Sequence, residues 1–565
     1  MKTTLRHSVL IFLTGLCLMS ELHAQQPGQI DVGHGEITYY TQAGDTLTSI
    51  AQKYTTTPAN WMVLSKRNRI TNDRSIPINT GILIPAEVLP EQVVEAKIAA
   101  FSGNSTSSAD TNSSPTQVTI GMSVREGMII TTGQNGFVTL ALPDNSRVSI
   151  PSNSRVKLSK LRMTQFANSP KTELTLLDGR VESTVTSLVN NKGRFEVHSP
   201  LAIAGVRGTH FRVAITDKGT ASEVLEGNVA VGQSQRPTVL TLPAGTGNII
   251  NASTVGHQAT LLSAPILDSK NALQERPILS FTAQPIALAH AFRAQIAVDA
   301  KAQNLIQEKI FSTPVLKFSG LDDGQYFIRV AAIDDNGLEG LPGIMPFTLK
   351  ARPEPPLAIE PKHKIRTNHV NFSWSESTDS DVPTTQATPT TYHLQIASDA
   401  NFTQLIEDQS GLSAPGYSTE KLIPGHYFWR VATVISKQGK PDQGPFGEVQ
   451  ALELLAPPKD MVAPADTGGN TLSFGWPSEP GQHFVLEIGR NPGFTDVLLK
   501  KELDVAEIQI PRPDPGTYFI RIKAIDADGY VGPYSSTQKL IFFSRWLTGD
   551  TTPLTSAEGV VHAGF

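Results

Sequence analysis

Along residues 37–85, the spacing of apolar residues is first that of a strand, then that of a helix, and then that of a strand again. Ile37 to Thr41 alternate as a short strand does, and Gly81 to Pro85 predict a closing strand. Asp45 is placed to cap a helix, and four apolar residues then recur at helical spacing: Leu47, Ile50, Ala51 and Tyr54. Thr57-Pro58 predicts a second helix, since proline suits the first helical turn. We therefore expect a small α/β unit (strand, helix, helix, strand) over residues 37–86.

Residues 118–262 consist of short alternating segments separated by turn residues. Val138 to Leu142 and Arg147 to Ile150 have the period of strands, and Pro143 to Ser146 form a turn cluster between them. Asp178-Gly179 between two alternating runs indicates a hairpin. The pattern predicts an all-β domain, built as a sandwich or as a solenoid-like unit.

A strand pattern recurs three times in the last part of the chain: Gly324–Val330, Gly425–Val431 and Gly516–Ile522. An aromatic strand precedes each copy, and prolines separate the copies. Short strands repeated in this way predict three immunoglobulin-like β-sandwiches, at residues 263–352, 353–457 and 458–543. The copies resemble fibronectin type III modules. The fold class expected for the whole chain is multidomain and mainly β.

The repeated strand has two different faces. With a period of two, Tyr326, Ile328 and Val330 share the face expected to enter the core. Phe327 and Arg329 share the outer face, and all three copies keep this pair. The outer pair is open to two interpretations, a ligand surface or packing of a cation on an aromatic ring of a neighbouring strand.

Two segments have no predicted fold. Residues 87–117 are interpreted as a flexible linker, because residues 102–117 are rich in serine, threonine and asparagine. The tail, residues 544–565, has no assigned role.

The amino terminus has the pattern of a secretory signal peptide, residues 1–24. Lys2 and Arg6 precede an apolar stretch from Val9 to Met19, and cleavage is expected after Ala24. The single cysteine, Cys17, lies in this stretch, so we expect a mature chain without disulfides. A lipoprotein signal is the alternative, although Leu16 is not the small residue it requires before the cysteine.

Composition and motifs exclude several functions. The net charge is -5, so nothing favours nucleic acid as a partner, and no later segment has the length of a transmembrane helix. Signature motifs of hydrolases, zinc proteases and nucleotide-binding enzymes do not occur in the sequence. The acidic turns Asp334 to Gly337 and Asp526 to Gly529 lack the spacing of a calcium loop and are interpreted as hairpin turns. We therefore expect a non-enzyme with no catalytic residue, no metal site and no cofactor.

The first unit resembles a LysM domain. The residues that carry the resemblance are Tyr40-Thr41, Gly44-Asp45-Thr46-Leu47, Ile50-Ala51, Asn68, Ile76-Pro77, Gly81 and Leu83-Ile84-Pro85. The resemblance implies binding of N-acetylglucosamine-containing glycans, chiefly peptidoglycan. It also implies a groove between two loops, with these glycan-binding residues: Gly44, Asp45, Thr46, Ile76, Pro77, Ile78 and Asn79. A shallow groove of this kind can offer backbone hydrogen bonds and a small apolar seat to an N-acetyl group.

The second region resembles a FecR domain. The residues that carry the resemblance are Glu126-Gly127, Thr131-Thr132-Gly133, Gly179-Arg180-Val181, Phe195 to Pro200, Ala204 to Thr209, Phe211-Arg212-Val213 and Glu226 to Val229. That family is known from periplasmic parts of sigma-factor regulators, so the resemblance implies a Gram-negative host. The turn at Arg207-Gly208-Thr209 can either bind an anion or a partner, or have a structural role in which Arg207 forms an ion pair or caps carbonyls.

These observations lead to one functional hypothesis with two alternatives. We expect an exported, non-enzymatic protein of the periplasm or cell envelope that binds peptidoglycan through its LysM unit. Its β modules would bind an unidentified envelope protein. The alternatives are an envelope signalling protein that acts through the FecR-like domain, and a fully secreted adhesin.

Overall fold

The computed structural model describes residues 26–33, 35–73, 75–167, 169–187, 193–206, 208–234, 238–376, 390–462, 470–546, 548–549, 554–556 and 559–561. The predicted signal peptide and Arg207 lie outside these residues. The chain divides into two compact units, Met1–Leu349 and Lys350–Phe565. Within the described part of the chain, no helix is both long and apolar enough to cross a bilayer.

The α/β unit, residues 30–89, has one more strand than the sequence predicted. Its elements are β1 (Ile30–Gly33), β2 (Glu36–Tyr40), α1 (Leu47–Tyr54), α2 (Trp61–Asn68) and β3 (Gly81–Pro85), with short 3-10 helices at Pro58–Asn60 and Ala86–Val88. The strands form an antiparallel sheet in the order β1-β2-β3. Leu47, Ile50, Ala51 and Tyr54 are all buried, which confirms the predicted helix face.

The large β domain, residues 91–260, is built from two sheets. Its strands are β4 (Glu91–Val93), β5 (Ala96–Ser102), β6 (Ser105–Ser108), β7 (Thr116–Gln117), β8 (Ser123–Val124), β9 (Ile129–Thr132), β10 (Phe137–Ala141), β11 (Arg147–Ile150), β12 (Ser154–Thr164), β13 (Ser169–Asp178), β14 (Arg180–Thr184), β15 (Arg194–His198), β16 (Ala202–Val206), β17 (His210–Thr216), β18 (Gly219–Glu226), β19 (Asn228–Gln233), β20 (Val239–Pro243), β21 (Thr246–Ile250) and β22 (Ala259–Thr260).

The chain alternates between the two sheets of this domain. One sheet has the order β22-β21-β18-β17-β14-β11-β10-β5-β8, and the other has the order β20-β19-β16-β15-β13-β12-β9-β6-β7, with β4 paired to β12. Both sheets contribute to a single core, in which Phe195 meets Phe211 edge to face at 6.1 Å. Successive hairpins thus extend one two-layered structure along its length.

The prediction of a flexible linker over residues 87–117 is wrong. The segment contains β4 to β7, and β5 pairs with β10 while β6 pairs with β9. Ser105 and Ser107 are buried in spite of their polarity. The polar composition of residues 102–117 favoured a linker, but a polar strand is also stable when neighbouring strands pair with its backbone, as β9 does with β6.

The remaining strands form three sandwiches and a short tail hairpin. The first sandwich has β23 (Leu273–Gln274), β24 (Leu279–Thr282), β25 (Ala289–Ala297), β26 (Leu305–Phe311), β27 (Val315–Phe318), β28 (Gly324–Asp334) and β29 (Gly343–Leu349), after a 3-10 helix at Ser269–Ala272. The second has β30 (Ala358–Glu360), β31 (His363–Arg366), β32 (Val370–Trp374), β33 (Thr391–Ala397), β34 (Leu405–Leu412), β35 (Gly416–Thr419), β36 (Gly425–Lys437), β37 (Lys440–Phe446) and β38 (Gln450–Leu455). The third and the tail have β39 (Thr471–Gly475), β40 (His483–Gly489), β41 (Val497–Leu503), β42 (Glu507–Pro511), β43 (Gly516–Ile525), β44 (Val531–Tyr534), β45 (Gln538–Phe542), β46 (Thr555–Ser556) and β47 (Gly559–Val560).

The three sandwiches share one pairing register. The strands with the repeated pattern are β28, β36 and β43. In the larger sheet of its sandwich, each pairs antiparallel with one earlier strand: β25, β33 or β40. Ile328, Trp429 and Ile520 are fully buried on the predicted core face. The structure therefore confirms the expected fold class, mainly β with a small α/β unit.

Candidate functional site

Thr41 joins the two loops in which the glycan-binding residues were predicted. This threonine is fully buried, and its Oγ1 donates to the Pro77 carbonyl at 2.6 Å. Its backbone N–H donates to the Thr80 carbonyl at 3.1 Å, and its own carbonyl accepts from the Asn79 N–H at 2.8 Å. With a fourth hydrogen bond, from the Thr80 N–H to the Thr41 Oγ1 at 2.9 Å, these contacts hold the loop after β2 against the loop before β3.

The first loop turns sharply and then starts α1. Gly44 has φ +88° and is exposed, with open space where a Cβ would stand. The Asp45 carboxylate accepts from the Tyr39 hydroxyl and from the Gln42 N–H, both at 2.7 Å. Thr46, not Asp45 as predicted, is the N-cap of α1, and its Oγ1 accepts from the Ser49 N–H at 3.0 Å. The carboxylate and the cap therefore both serve the backbone of this turn.

The second loop exposes an apolar residue beside a strained backbone position. Ile76 packs partly against the core of the α/β unit, whereas the Ile78 side chain is 57% exposed. Asn79 has φ +65°, a conformation that asparagine tolerates better than most residues. The Leu47 N–H donates to the Asp73 carbonyl at 3.4 Å, which is a further link between the loops. All seven predicted residues thus lie on two joined loops, with Gly44, Pro77, Ile78 and Asn79 exposed to solvent.

Sequence reasoning missed two residues that support this site. For Thr41, the sequence indicated a strand position and a share in the LysM resemblance, but not that its hydroxyl orders the second loop. Tyr39 is buried, and burial together with the hydrogen bond to Asp45 raises the pKa of its phenol. Tyr39 therefore stays protonated at neutral pH and donates to Asp45. The alternation of the strand places the Tyr39 side chain on the buried face, but it does not reveal that the hydroxyl donates to Asp45.

One cluster in the described residues has the donor types of a metal site. Ligand atoms of Glu173, Glu196 and His198 lie within 4.8 Å of one another on β13 and β15. Glu196 is also paired with Arg194 and accepts from His198 at 3.0 Å. The hydrogen bond to Glu196 raises the pKa of His198 despite its partial burial. These contacts account for the cluster as an ion-pair group, and the absence of a metal site stays a prediction.

Two family models match parts of the chain. The LysM domain model matches residues 39–85, and the model described as FecR protein matches residues 128–230. Both families are binding or signalling modules. No curated protein matches the chain. The α/β unit is thus identified as a LysM domain, and the large β domain contains a FecR domain.

Some solved structures are similar to parts of the chain. Two crystal structures of a protein from Parabacteroides distasonis ATCC 8503, provisionally described as an anti-sigma factor, have 20% and 21% identity and TM-scores of 0.19. The similarity covers 23% of this chain and 57% of that protein, so this chain spans little more than half of its length. The FN1–FN3 domains of chicken CNTN1 have 11% identity and a TM-score of 0.22, over 50% of this chain and 98% of theirs.

Proposed function

We propose that this protein is an exported, non-enzymatic component of the cell envelope that binds peptidoglycan through its α/β unit. The observation that supports the proposal most is the pair of joined loops in a segment that matches the LysM family. The exposed backbone at Gly44 and the exposed side chain of Ile78 offer hydrogen bonds and an apolar contact to an N-acetyl group. The β domains would bind a second envelope component.

The test is sedimentation of the mature protein with purified peptidoglycan sacculi. Ile78→Asp removes the apolar contact, and Met62→Asp is its matched control, since Met62 lies on α2 and is 58% exposed while Ile78 is 57% exposed. We expect wild type and Met62→Asp to sediment alike and Ile78→Asp to lose about tenfold in affinity, which corresponds to roughly 1.4 kcal/mol. Failure of the wild-type protein to sediment would overturn the proposal.

Deletion of the whole α/β unit is a poorer test than these substitutions. Ala167 of the large β domain is buried in the core of the α/β unit, so the deletion would expose apolar surface on the domain that remains. Loss of sedimentation by such a variant would not distinguish a missing glycan site from a damaged β domain.

Envelope signalling is the second candidate function, and the FecR match favours it. The test compares the transcripts of a strain that lacks the protein with those of a strain that carries Ile78→Asp. A change in a sigma-factor-dependent set of genes in the first strain alone would favour signalling through the large β domain. Unchanged transcripts in both strains, with the protein recovered from the sacculi, would favour anchoring alone.

A further inference from the structure

The α/β unit is held directly on the large β domain. Strand β4 follows the α/β unit and pairs antiparallel with β12, at Glu91↔Thr164 through Val93↔Arg162. Glu91 accepts from Lys171 at 2.6 Å, and the Gln165 N–H donates to the Pro90 carbonyl at 2.8 Å. The two domains therefore meet at the tip of the β12–β13 hairpin.

Phe166 at this tip has an unusual backbone conformation. Its φ is +65°, a region that bulky residues rarely occupy, and its side chain is 37% exposed. Its ring meets the ring of Tyr54, on α1, edge to face with centroids 5.3 Å apart. The next residue, Ala167, is buried in the core of the α/β unit. The strained tip thus presents an aromatic ring to the neighbouring domain.

The contact continues from Tyr54 to the candidate glycan site. The rings of Tyr54 and Tyr39 are 4.7 Å apart, and the Tyr39 hydroxyl donates to the Asp45 carboxylate at 2.7 Å. Tyr39 is 1% exposed and Tyr54 is 4% exposed, so both rings are shielded from solvent in the core of the α/β unit. Three packed rings therefore lead from a residue of the large β domain to a residue of the first site loop.

We propose that Phe166 is a positioning residue for the candidate glycan site and acts through Tyr54 and Tyr39 on Asp45. The inference rests on the proposed glycan binding and goes further, because it assigns part of the site's geometry to the neighbouring domain. Binding and domain contact are then coupled, and the coupling is reciprocal: a glycan in the groove strengthens the docking of the α/β unit on the β12–β13 hairpin.

The first experiment measures the affinity of the mature full-length protein for an N-acetylglucosamine tetramer by calorimetry. We expect Phe166→Ala to weaken binding about fivefold or more, the lower range of typical coupling between sites. Phe166→Tyr retains the ring and should bind as wild type does. Asn145→Ala is the matched control, since Asn145 has the same φ of +65° in another hairpin of the same domain.

A second readout separates positioning from a general loss of structure. Tyr39→Phe keeps all three rings in contact and removes only the hydroxyl that reaches Asp45. Its loss of affinity and that of Phe166→Ala should not add in the double variant, because both act on the same carboxylate. Hydrogen exchange of the amides of residues 39–46 should be faster in Phe166→Ala and unchanged in Asn145→Ala.

The outcomes distinguish this inference from the proposed function. If wild type binds and Phe166→Ala binds equally well, the positioning role is wrong and glycan binding stands. If wild type does not bind the tetramer or sacculi, the proposed function fails and the inference fails with it. If Phe166→Ala unfolds the α/β unit, Phe166→Leu replaces it, and wild-type affinity of that variant overturns the need for a ring.

Discussion

The same arginine of the repeated strand has two environments in the three sandwiches. In the second sandwich, Arg430 lies between the rings of Phe402 and Phe446, with its guanidinium carbon 4.0 and 4.2 Å from the centroids. In the third, Arg521 lies between Phe494 and Tyr534, 3.9 Å from each centroid. The interpretation of cation packing on aromatic rings is confirmed for these two copies.

In the first sandwich, the equivalent arginine pairs with another domain. Arg329 donates to Glu182 of the large β domain at 2.8 and 2.9 Å, and its side chain is only 6% exposed. In this copy, the outer arginine therefore forms neither a ligand surface nor a stack with aromatic rings. In all three copies the arginine also donates to the residue opposite it in the register: Gln295, Gln395 or Glu487.

At one of the two ring positions, the first sandwich has a small residue instead of an aromatic one. Ala302 stands in the turn at the position of Phe402 and Phe494, and all three have positive φ. Phe137 of the large β domain packs on Ala302, Ala297 and Leu305. The neighbouring domain thus supplies a ring at the turn where the first sandwich has alanine in place of phenylalanine.

The contact between these two domains is also an ion network. Glu339 is 5% exposed and accepts from Arg212 at 2.8 Å, from Arg293 at 3.0 Å and from Arg180 at 3.0 Å. Arg212 further pairs with Glu223 at 3.2 Å, and Arg293 pairs with Glu308. The comparison teaches that the outer arginine of one sandwich fold can have either of two roles. It can stack on rings of its own domain, as Arg430 and Arg521 do, or form an ion pair with a neighbouring domain, as Arg329 does.

Among the four predicted changes, Glu339→Ala should lower the stability of the protein most. The substitution leaves three arginines at a buried contact without their shared carboxylate, and breaking such a network costs roughly 3–5 kcal/mol. Urea-dependent hydrogen exchange of β17 and β28 measures the loss. Glu420→Ala, at a side chain that is 77% exposed, is the control and should change little. A loss similar to the control's would contradict a structural role for the network.

Acid should weaken the same contact less than Glu339→Ala does, because a protonated Glu339 side chain still fills its space and keeps some of its hydrogen bonds. Burial alone would raise the pKa of Glu339, but attraction by Arg212, Arg293 and Arg180 outweighs it and lowers the pKa from 4.5 to about 2. A lowered folded-state pKa means that this stabilisation is complete above about pH 4.5 and is lost as the pH falls toward about 2.

The pKa shift of Glu223 has the opposite sign to that of Glu339 and limits the loss of stability in acid. Burial, followed by the nearby Glu339 charge, raises the pKa of Glu223 in spite of Arg212, so its protonation in acid favours the folded state. Hydrogen exchange of β17 at pH 6, 4 and 2.5 checks the balance. We expect Glu339→Gln to be less sensitive to acid than wild type between pH 4.5 and 2, and equal sensitivity would contradict the assignment.

Ala302→Phe should destabilise the first sandwich by a smaller amount. The added ring competes with Phe137 for the same space, and overpacking of this kind costs roughly 1–3 kcal/mol. The backbone is not the obstacle, since Phe402 and Phe494 occupy the equivalent position with positive φ. The double variant with Phe137→Ala should recover part of the loss in a double-mutant cycle. Additive losses would show that the two rings do not share a site.

Arg430→Ala should have the smallest effect of the four. A cation stacked on aromatic rings contributes about 0.5–2 kcal/mol, and Gln395, which accepts from Arg430, is an uncharged amide. Urea unfolding followed by fluorescence of the buried Trp429 measures it. Arg490→Ala, at a side chain that is 63% exposed, is the control. A loss as large as that of Glu339→Ala would remove the distinction between the two environments.

Much of the fold could be predicted from local pattern. The helix face of α1, the core face of the repeated strand and the three sandwiches follow from the spacing of apolar residues, which burial confirms. Strand β1 was missed because Ile30 to Gly33 are too short to stand out from their surroundings. The linker prediction failed because β5 and β6 pair with β10 and β9, which come later in the chain, and the local composition does not reveal these partners.

The candidate site was predicted by residue type, whereas its supports were not. Gly44 and Asn79 have the backbone conformations that their residue types favour, so their loops can be recognised locally. That Tyr39 reaches Asp45, and that Phe166 reaches Tyr54, depends on packing between elements and between domains.

The sequence by itself determined the order of the domains, the apolar period of α1 and of the repeated strands, and the two loops of the candidate glycan site, because these depend on residues close together in the chain. Only the tertiary structure decided that the α/β unit rests on the β12–β13 hairpin and that Arg329 pairs with Glu182. The physical reason is that the partner of a buried charge or ring is set by which surfaces meet, and three similar sequence patterns can meet different surfaces.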